Sequence, residues 1–238
     1  MQAFLTILKY DLGQLIHSWV LRIWLPLLIA PAFALVVIAN SESELASETL
    51  AFYIWVVMAP ISAIATAILS AAAITGESRI ISDSILSRSV TRSEYVAAKI
   101  IARVGFTLTI YLFVIGPFAY LLTDYAVADT SIGGVISGLV LVGAMLAFLA
   151  TFGIAMSVTF SSVLPAVIVV LVAMTLSGAI FQFLGLNAMS TTAIMEQLPA
   201  TFRGEIDAWE HTQVLLIFVV ASIAALTGAV WLFRRKDL

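Results

Sequence analysis

The sequence predicts an all-α polytopic membrane protein with six transmembrane helices, built as one domain over residues 1–238. Composition is the first observation, because 62% of the residues are hydrophobic and only 11% are charged, whereas soluble domains carry about 25% charged residues. The second observation is that apolar stretches of roughly 20 residues, the length that crosses a bilayer as a helix, recur along the chain. Cysteine is absent, which excludes disulfides, thiolate metal sites and thiol catalysis.

Residues 1–19 predict a separate amphipathic helix at the cytoplasmic surface of the membrane. Large apolar residues recur at helical spacing on one face, and they are Phe4, Leu8, Leu12, Leu15 and Trp19. The alternative is that this stretch extends the first spanning helix. It does not have the form of a cleavable signal, because no basic region leads directly into a short apolar core.

Six apolar stretches are predicted to span the membrane. They are Val20–Ala39, Ala51–Ile74, Val104–Leu122, Ile132–Phe160, Val163–Leu186 and Val214–Phe233. Residues 185–211, between the fifth and sixth spans, are too apolar for a free loop and too short to cross. They predict an outer re-entrant segment, or an interfacial one, made of two short helices broken near Pro199.

Basic residues predict the orientation, because cytoplasmic loops of membrane proteins are enriched in Lys and Arg. With the N-terminus inside, Arg203 is the one basic residue of the 11 that falls outside. The basic residues on the inner side are Lys9, Arg22, Arg79, Arg88, Arg92, Lys99, Arg103, Arg234, Arg235 and Lys236. Both termini are therefore predicted to lie in the cytoplasm, with the chain in the cell membrane. The outer side is acidic, which indicates solvated loops or, alternatively, a vestibule that attracts cations.

Small residues repeat every four positions in two of the predicted spans. They are Ala63, Ala67 and Ala71 with Ser62, Thr66 and Ser70 in the second span, and Gly143, Ala147, Thr151 and Ala155 in the fourth. Such stripes let helices approach closely in lipid. Packing within this chain and a seam between two copies both agree with the pattern.

The polar stretch 75–99, between the second and third spans, is the candidate functional segment, because it carries both signs of charge at high density. Ile80, Ile81, Ile85 and Leu86 recur at roughly helical spacing within it, which predicts a short amphipathic helix at a membrane surface or against a partner. Thr91 and Glu94 then match a capping box. A turn near Ser89 and Val90 and a new helix from about Arg92 are therefore predicted.

The sequence lacks the residues that several functional classes of protein require. The spans as drawn contain no ionisable Asp, Glu, Lys or Arg except Arg22, whereas ion-coupled transporters place such groups inside the membrane. Neither a phosphate-binding loop of the Gly-x-x-x-x-Gly-Lys-Ser/Thr type nor a dinucleotide fingerprint is present. His17 and His211 fall on opposite sides and cannot share a metal ion. We therefore predict no catalytic residue, no metal site and no cofactor in this chain, and any energy for transport enters from outside it.

Over its whole length the chain resembles the permease subunit of ABC exporters of the type-2 class. The resemblance rests on the element order, on Glu77, on residues 86–92 (Leu-Ser-Arg-Ser-Val-Thr-Arg), and on Tyr95 and Lys99. Family members typically show a Glu, then a run like Leu-x-Ser-Arg-Pro-Val-Ser-Arg, then a Lys. This chain has Ser in place of the usual Pro and Thr in place of Ser. The ending at 233–238 (Phe-Arg-Arg-Lys-Asp-Leu) is also typical of the family.

The resemblance implies a transport subunit that is not itself an enzyme. The polar stretch would be a coupling helix that docks on a separate ABC ATPase subunit, which would hold ATP and Mg. The coupling residues that it implies are Glu77, Arg79, Asp83, Arg88, Ser89, Val90, Thr91 and Arg92. For the basic residues, the alternative is that they anchor the stretch to lipid headgroups.

By the same resemblance, two permease copies would pair in the bilayer around a central path that the re-entrant segment caps. No nucleic-acid partner is expected. An apolar bundle without charge suits a lipid, a hydrophobic drug or a peptide as substrate. The alternatives are a non-transport scaffold or signal-transducing subunit that works with the same kind of ATPase, and an intramembrane enzyme, which the missing catalytic groups disfavour.

Overall fold

The computed structural model describes residues 2–75, 92–183, 190–206 and 208–235, and the regular secondary structure within these ranges is helical. In chain order the helices are α1 (Gln2–Ile16), α2 (Trp19–Glu42), α3 (Ala46–Phe52), α4 (Ala59–Thr75), α5 (Arg92–Tyr125), α6 (Ile132–Thr159), α7 (Val163–Phe183), α8 (Thr191–Arg203) and α9 (Ala208–Arg235). A π-helical turn at Tyr53–Met58 joins α3 to α4 without a break.

Five helical stretches of the described chain are long and apolar enough to cross a membrane. They are Trp19–Glu42, Ala46–Ile74, Glu94–Tyr125, Ile132–Thr159 and His211–Phe233. The predicted all-α membrane class is confirmed for these ranges. The apolar stretch found in α7 covers only Val163–Leu176, so the predicted fifth span, Val163–Leu186, stays a prediction, and with it the total of six. The second span begins earlier than predicted, at Ala46, and the third span lies in a helix that is described from Arg92 onward.

α1 is a separate helix, so the alternative of an extended first span is wrong. Ser18 separates the two helices, because its hydroxyl donates to the carbonyl of Leu15 at 2.7 Å and accepts from a backbone N–H in the first turn of α2 at 3.2 Å. Leu15 is buried, and Leu8 and Leu12 pack against the same apolar core. The predicted apolar face therefore packs against the protein itself. Trp19 does not belong to that face, because it lies exposed at the start of α2.

α6 lies at the centre of the bundle and contacts α4, α5, α7, α8 and α9. It approaches α4 closely at Gly153, where an added Cβ would lie 2.7 Å from Cβ of Ser70. The small residues of the second span are all buried, namely Ser62, Ala63, Thr66, Ala67, Ser70 and Ala71. These stripes therefore pack within the chain, and a seam between two copies along them is wrong.

α8 is one amphipathic helix that continues through Pro199 and ends at Gly204, whose φ of 79° is the left-handed conformation that favours glycine. A break near Pro199 is therefore wrong. The helix continues because Leu198 and Phe202, on either side of the proline, are both completely buried in the core. At its other end, Thr191 lines a cavity together with residues from the middle of α6, so α8 extends into the bundle.

Hydrogen bonds tie together three chain segments at the end of the bundle where α8 terminates. The carboxylate of Asp129 accepts from the backbone N–H of Ser47 at 2.9 Å and also from its hydroxyl. Arg203 donates to the same hydroxyl at 3.2 Å. Leu45 and Val127 form an isolated β-bridge beside them. Because Ser47 lies in the first turn of α3, Asp129 caps that helix from a distant part of the chain.

We expect Gly138→Ala to destabilise the protein by about 1–3 kcal/mol, the usual cost of overpacking a core. An added Cβ at Gly138 would lie 2.5 Å from the ring of the buried Phe202, so α8 or the ring has to move. Thermal unfolding of the detergent-solubilised chain measures the effect. Gly133→Ala is the matched control, since no atom lies within 4 Å of its added Cβ. Equal melting temperatures of the two variants would contradict this packing.

The excess of basic residues on one side predicts which residues an impermeant thiol reagent reaches. Ser41 and Gln14 are both exposed, whereas Ser47 is buried and unsuited to labelling. In a chain without cysteine, Ser41→Cys should react in intact cells, and Gln14→Cys only after permeabilisation. Labelling of Gln14→Cys in intact cells would show that the orientation is the opposite of the predicted one.

Candidate functional site

The sequence places the candidate functional residues between α4 and α5. Seven of them lie outside the described residues, together with the predicted surface helix and turn: Glu77, Arg79, Asp83, Arg88, Ser89, Val90 and Thr91. Arg92 is the first described residue of α5, so the predicted helix start near it stays a prediction. The structure therefore describes the two helices that flank residues 76–91, namely the end of α4 and the start of α5.

The chain segments on either side of residues 76–91 meet in one apolar cluster. We call it the inner cluster because it lies next to these residues. Its buried members come from α4, α5, α6 and α9, and they are Ala73, Ile74, Tyr95, Val96, Ile154, Ala155, Val158, Ala229 and Phe233. The rings of Tyr95 and Phe233 stack with centroids 6.1 Å apart. The backbone N–H of Ile74 donates to the Ser157 hydroxyl at 3.0 Å. The last turn of α4 and the first turns of α5 are therefore packed into the same core.

Among the described residues, three charged side chains form a buried ion cluster beside the inner cluster. Oδ1 of Asp11, on α1, accepts from Nζ of Lys99 at 2.7 Å and from Nη2 of Arg103 at 3.0 Å. The side chains of Asp11 and Lys99 are 0% and 1% exposed, and that of Arg103 is 8% exposed. Both cations belong to α5, one helical turn apart. The cluster therefore joins α1 to α5 by charge where water is excluded.

Because the ion cluster is buried, its charges have to be placed accurately relative to one another. Taking charges out of water costs several kcal/mol per ion, and good geometry with an opposite charge has to offset that cost. Here one carboxylate oxygen contacts both cations, so loss of the carboxylate would leave two like charges close together in a low-dielectric site. The ammonium of Lys99 also lies 5.7 Å from the centre of the Tyr95 ring, which is within reach of a cation–π contact. That contact connects the ion cluster to the inner cluster.

Sequence reasoning missed the ion cluster, although one signal of it is present. Asp11 lies three residues after Leu8 and four before Leu15, so it falls on the apolar face of α1. A lone acid on such a face indicates a buried partner. Lys99 and Arg103 were counted only as cytoplasmic charges, because the third span was drawn from Val104. In the structure, the helix that contains both cations starts at Arg92.

Several concavities of the described chain lie away from this site. An apolar cavity of about 280 Å³ lies between α6, α7, α8 and α9, and its lining includes Met145, Phe152 and Phe218. A groove of about 450 Å³ lies at the end of the bundle opposite residues 76–91, and its lining includes Glu48, Trp55 and Glu196. Within the described ranges, no group of three or more His, Asp or Glu side chains is placed to hold a metal ion.

The two histidines do not belong to any common site. Nδ1 of His17 lies 2.8 Å from the carbonyl oxygen of Gly13, and Nε2 of His211 lies 2.9 Å from that of Ser137. His17 therefore contacts a carbonyl of α1, whereas His211 connects the start of α9 to α6.

Comparison with known proteins leaves the family open. No protein-family model matches the chain, and a search of curated proteins finds no match. The resemblance to type-2 ABC permeases therefore stays a prediction from the sequence.

We expect Asp11→Asn to destabilise the folded chain by about 3–5 kcal/mol, because the buried Lys99 and Arg103 would lose the carboxylate that offsets part of the cost of burying their charges. Thermal unfolding in detergent measures the loss. Lys9→Gln is the matched control: it removes a charge from the same helix at an exposed position and should change stability by no more than about 0.5 kcal/mol. If both variants unfolded at the same temperature, the ion cluster would not be required for stability.

Proposed function

We propose that this chain is the membrane-spanning permease subunit of an ATP-driven exporter of the type-2 ABC class. The observation that supports this most is the way in which both ends of the polar stretch 76–91 are held. α4 ends and α5 begins in the inner cluster, which also includes α6 and α9, and the ion cluster adds α1. A force applied to the stretch would therefore reach five helices together, as coupling to a partner requires.

The energy for transport enters through a separate ABC ATPase subunit. This subunit carries ATP and Mg, since the present sequence has no phosphate-binding loop. The stretch 76–91 is the docking element, and Glu77, Arg88 and Arg92 contribute its charged contacts. Arg side chains suit such a role, because their hydrogen bonds to carboxylates become stronger when they are partly desolvated.

In the proposed arrangement α7 is the fifth of six spans. Its 21 residues make a helix of about 32 Å at 1.5 Å per residue, which matches a hydrocarbon core of about 30 Å. Both termini lie in the cytoplasm, together with α1 and the docking stretch. α8 is the re-entrant element, with Thr191 inside the bundle and Arg203 at the outer surface.

A second copy of the chain completes the path. The small-residue stripes of α4 are already buried within one chain, so the contact has to use another face. α7 presents exposed apolar residues at four-residue spacing, namely Leu164, Ile168, Val172 and Leu176. We assign this face of the fifth span to the partner copy, with an apolar substrate passing between the two chains.

We expect the double reversal Arg88→Glu with Arg92→Glu to prevent docking without disturbing membrane insertion. Both residues lie outside the predicted hydrocarbon spans, so their reversal avoids the cost of a charge placed within the membrane. The variant should reach normal membrane levels, lose the co-purifying ATPase and abolish transport. Thr91→Ala should lose transport only in part, since a helix cap is worth about 0.5–2 kcal/mol. The measurements are co-purification and transport in matched membranes.

The control for the double reversal is Lys9→Glu, which reverses an exposed charge on the same predicted side but outside the stretch. It should keep the ATPase and its activity. If the double reversal also kept full transport, the stretch would only anchor to headgroups, where a basic residue contributes about 1 kcal/mol.

A further inference from the structure

α1 contacts the bundle in two different ways. Its leucines at positions 8, 12 and 15 pack on the apolar core, and its Asp11 enters the ion cluster. Apolar contacts between helices allow small sliding movements, as in shear motions of packed helices. An ion cluster without water does not, because moving the carboxylate away from Lys99 and Arg103 separates opposite charges at low dielectric.

α5 connects the ion cluster directly to the stretch 76–91. Lys99 lies seven residues after Arg92, which is about 10 Å along a helix, and α5 is continuous over this distance. A displacement of the stretch at Arg92 is therefore carried along a rigid helix to Lys99 and Arg103. Asp11 receives it there, since both cations contact its Oδ1 atom.

We propose that Asp11 is a positioning residue of the coupling apparatus, through which α1 moves as one rigid body with the first turns of α5 when the stretch 76–91 is displaced. This inference rests on the proposed function, and it adds α1 to the elements that respond to the ATPase. Asp11 acts through Lys99 and Arg103. A purely structural role would require only that the cluster form once, during folding.

Two spin labels test this inference in the full chain, in lipid nanodiscs with the ATPase that co-purifies with it. The labels are placed at Gln14 on α1 and Leu112 on α5, both of which are exposed. Their distance distribution is recorded without nucleotide and with Mg-ATP plus vanadate. We expect one narrow distribution that is the same in both states, because the ion cluster holds the two helices together. A shift of this distance between the two states of the native chain overturns the inference.

Asp11→Asn provides the second measurement. The folded variant should retain the ATPase on co-purification, show a broadened Gln14–Leu112 distribution, and lower the chain-dependent stimulation of ATP hydrolysis about tenfold, within the usual range of coupling between sites. Lys9→Gln, which removes an exposed charge from α1, should match the native chain in all three measurements. A folded Asp11→Asn complex with the native distance and native stimulation also overturns the inference.

The charge exchange Asp11→Lys with Lys99→Asp keeps the inference testable if Asp11→Asn fails to fold. It restores an opposite pair between the same two helices, so the narrow distribution and most of the stimulation should return. An exchanged chain that is as stable as the native one but remains uncoupled contradicts the positioning role. Failure of any ATPase to co-purify with the native chain rejects the proposed function, whereas a moving α1–α5 distance in an active complex rejects this inference alone.

Discussion

Close approach of neighbouring helices to α6 is the constraint on which the rest of the bundle depends. In a bilayer, apolar side chains gain little by leaving lipid, so helices associate through van der Waals contact across small residues. α6 supplies such positions at Gly153, against Ser70 of α4, and at Gly138, against Phe202 of α8. Because five helices contact α6, these few positions fix how the helices lie relative to one another.

Charge stabilises the two ends of the bundle in different ways. At the end opposite residues 76–91, Asp129 and Arg203 both bind Ser47 of α3 in contacts that are only partly buried. The hydrogen bond to Glu205 raises the pKa of Arg203 above its usual value, so its guanidinium stays charged. At the inner end, the charges of the ion cluster are buried, so water competes little for their contacts. The inner end is therefore the more specific of the two connections, and it lies next to the stretch that we assign to docking.

Hydropathy predicts most of the helices because a bilayer admits so few backbone structures. The same reasoning fails where a contact between distant segments determines where a helix begins or which residue a side chain pairs with. α3 begins at Ala46, before the apolar run at Ala51, because Asp129 caps it from another loop. Asp11 is paired with residues on a different helix, and periodicity within α1 shows only that it lies on the buried face. The π turn before Pro60 was also not predicted: a proline clashes with the carbonyl four residues earlier, and the wider turn bonds Ala59 to Ile54 instead.

The ion cluster also has a consequence for the order in which the chain is assembled. Asp11 and Lys99 are separated by 88 residues, so α1 leaves the ribosome well before its charged partners. At typical synthesis rates of 5–20 residues per second, the delay is about 4–18 s. During this time the carboxylate needs water or lipid headgroups around it, which keeps α1 at the membrane surface while α2 inserts. Docking of α1 is therefore a late step of biogenesis, completed when the third apolar span emerges and brings Lys99 and Arg103 to it.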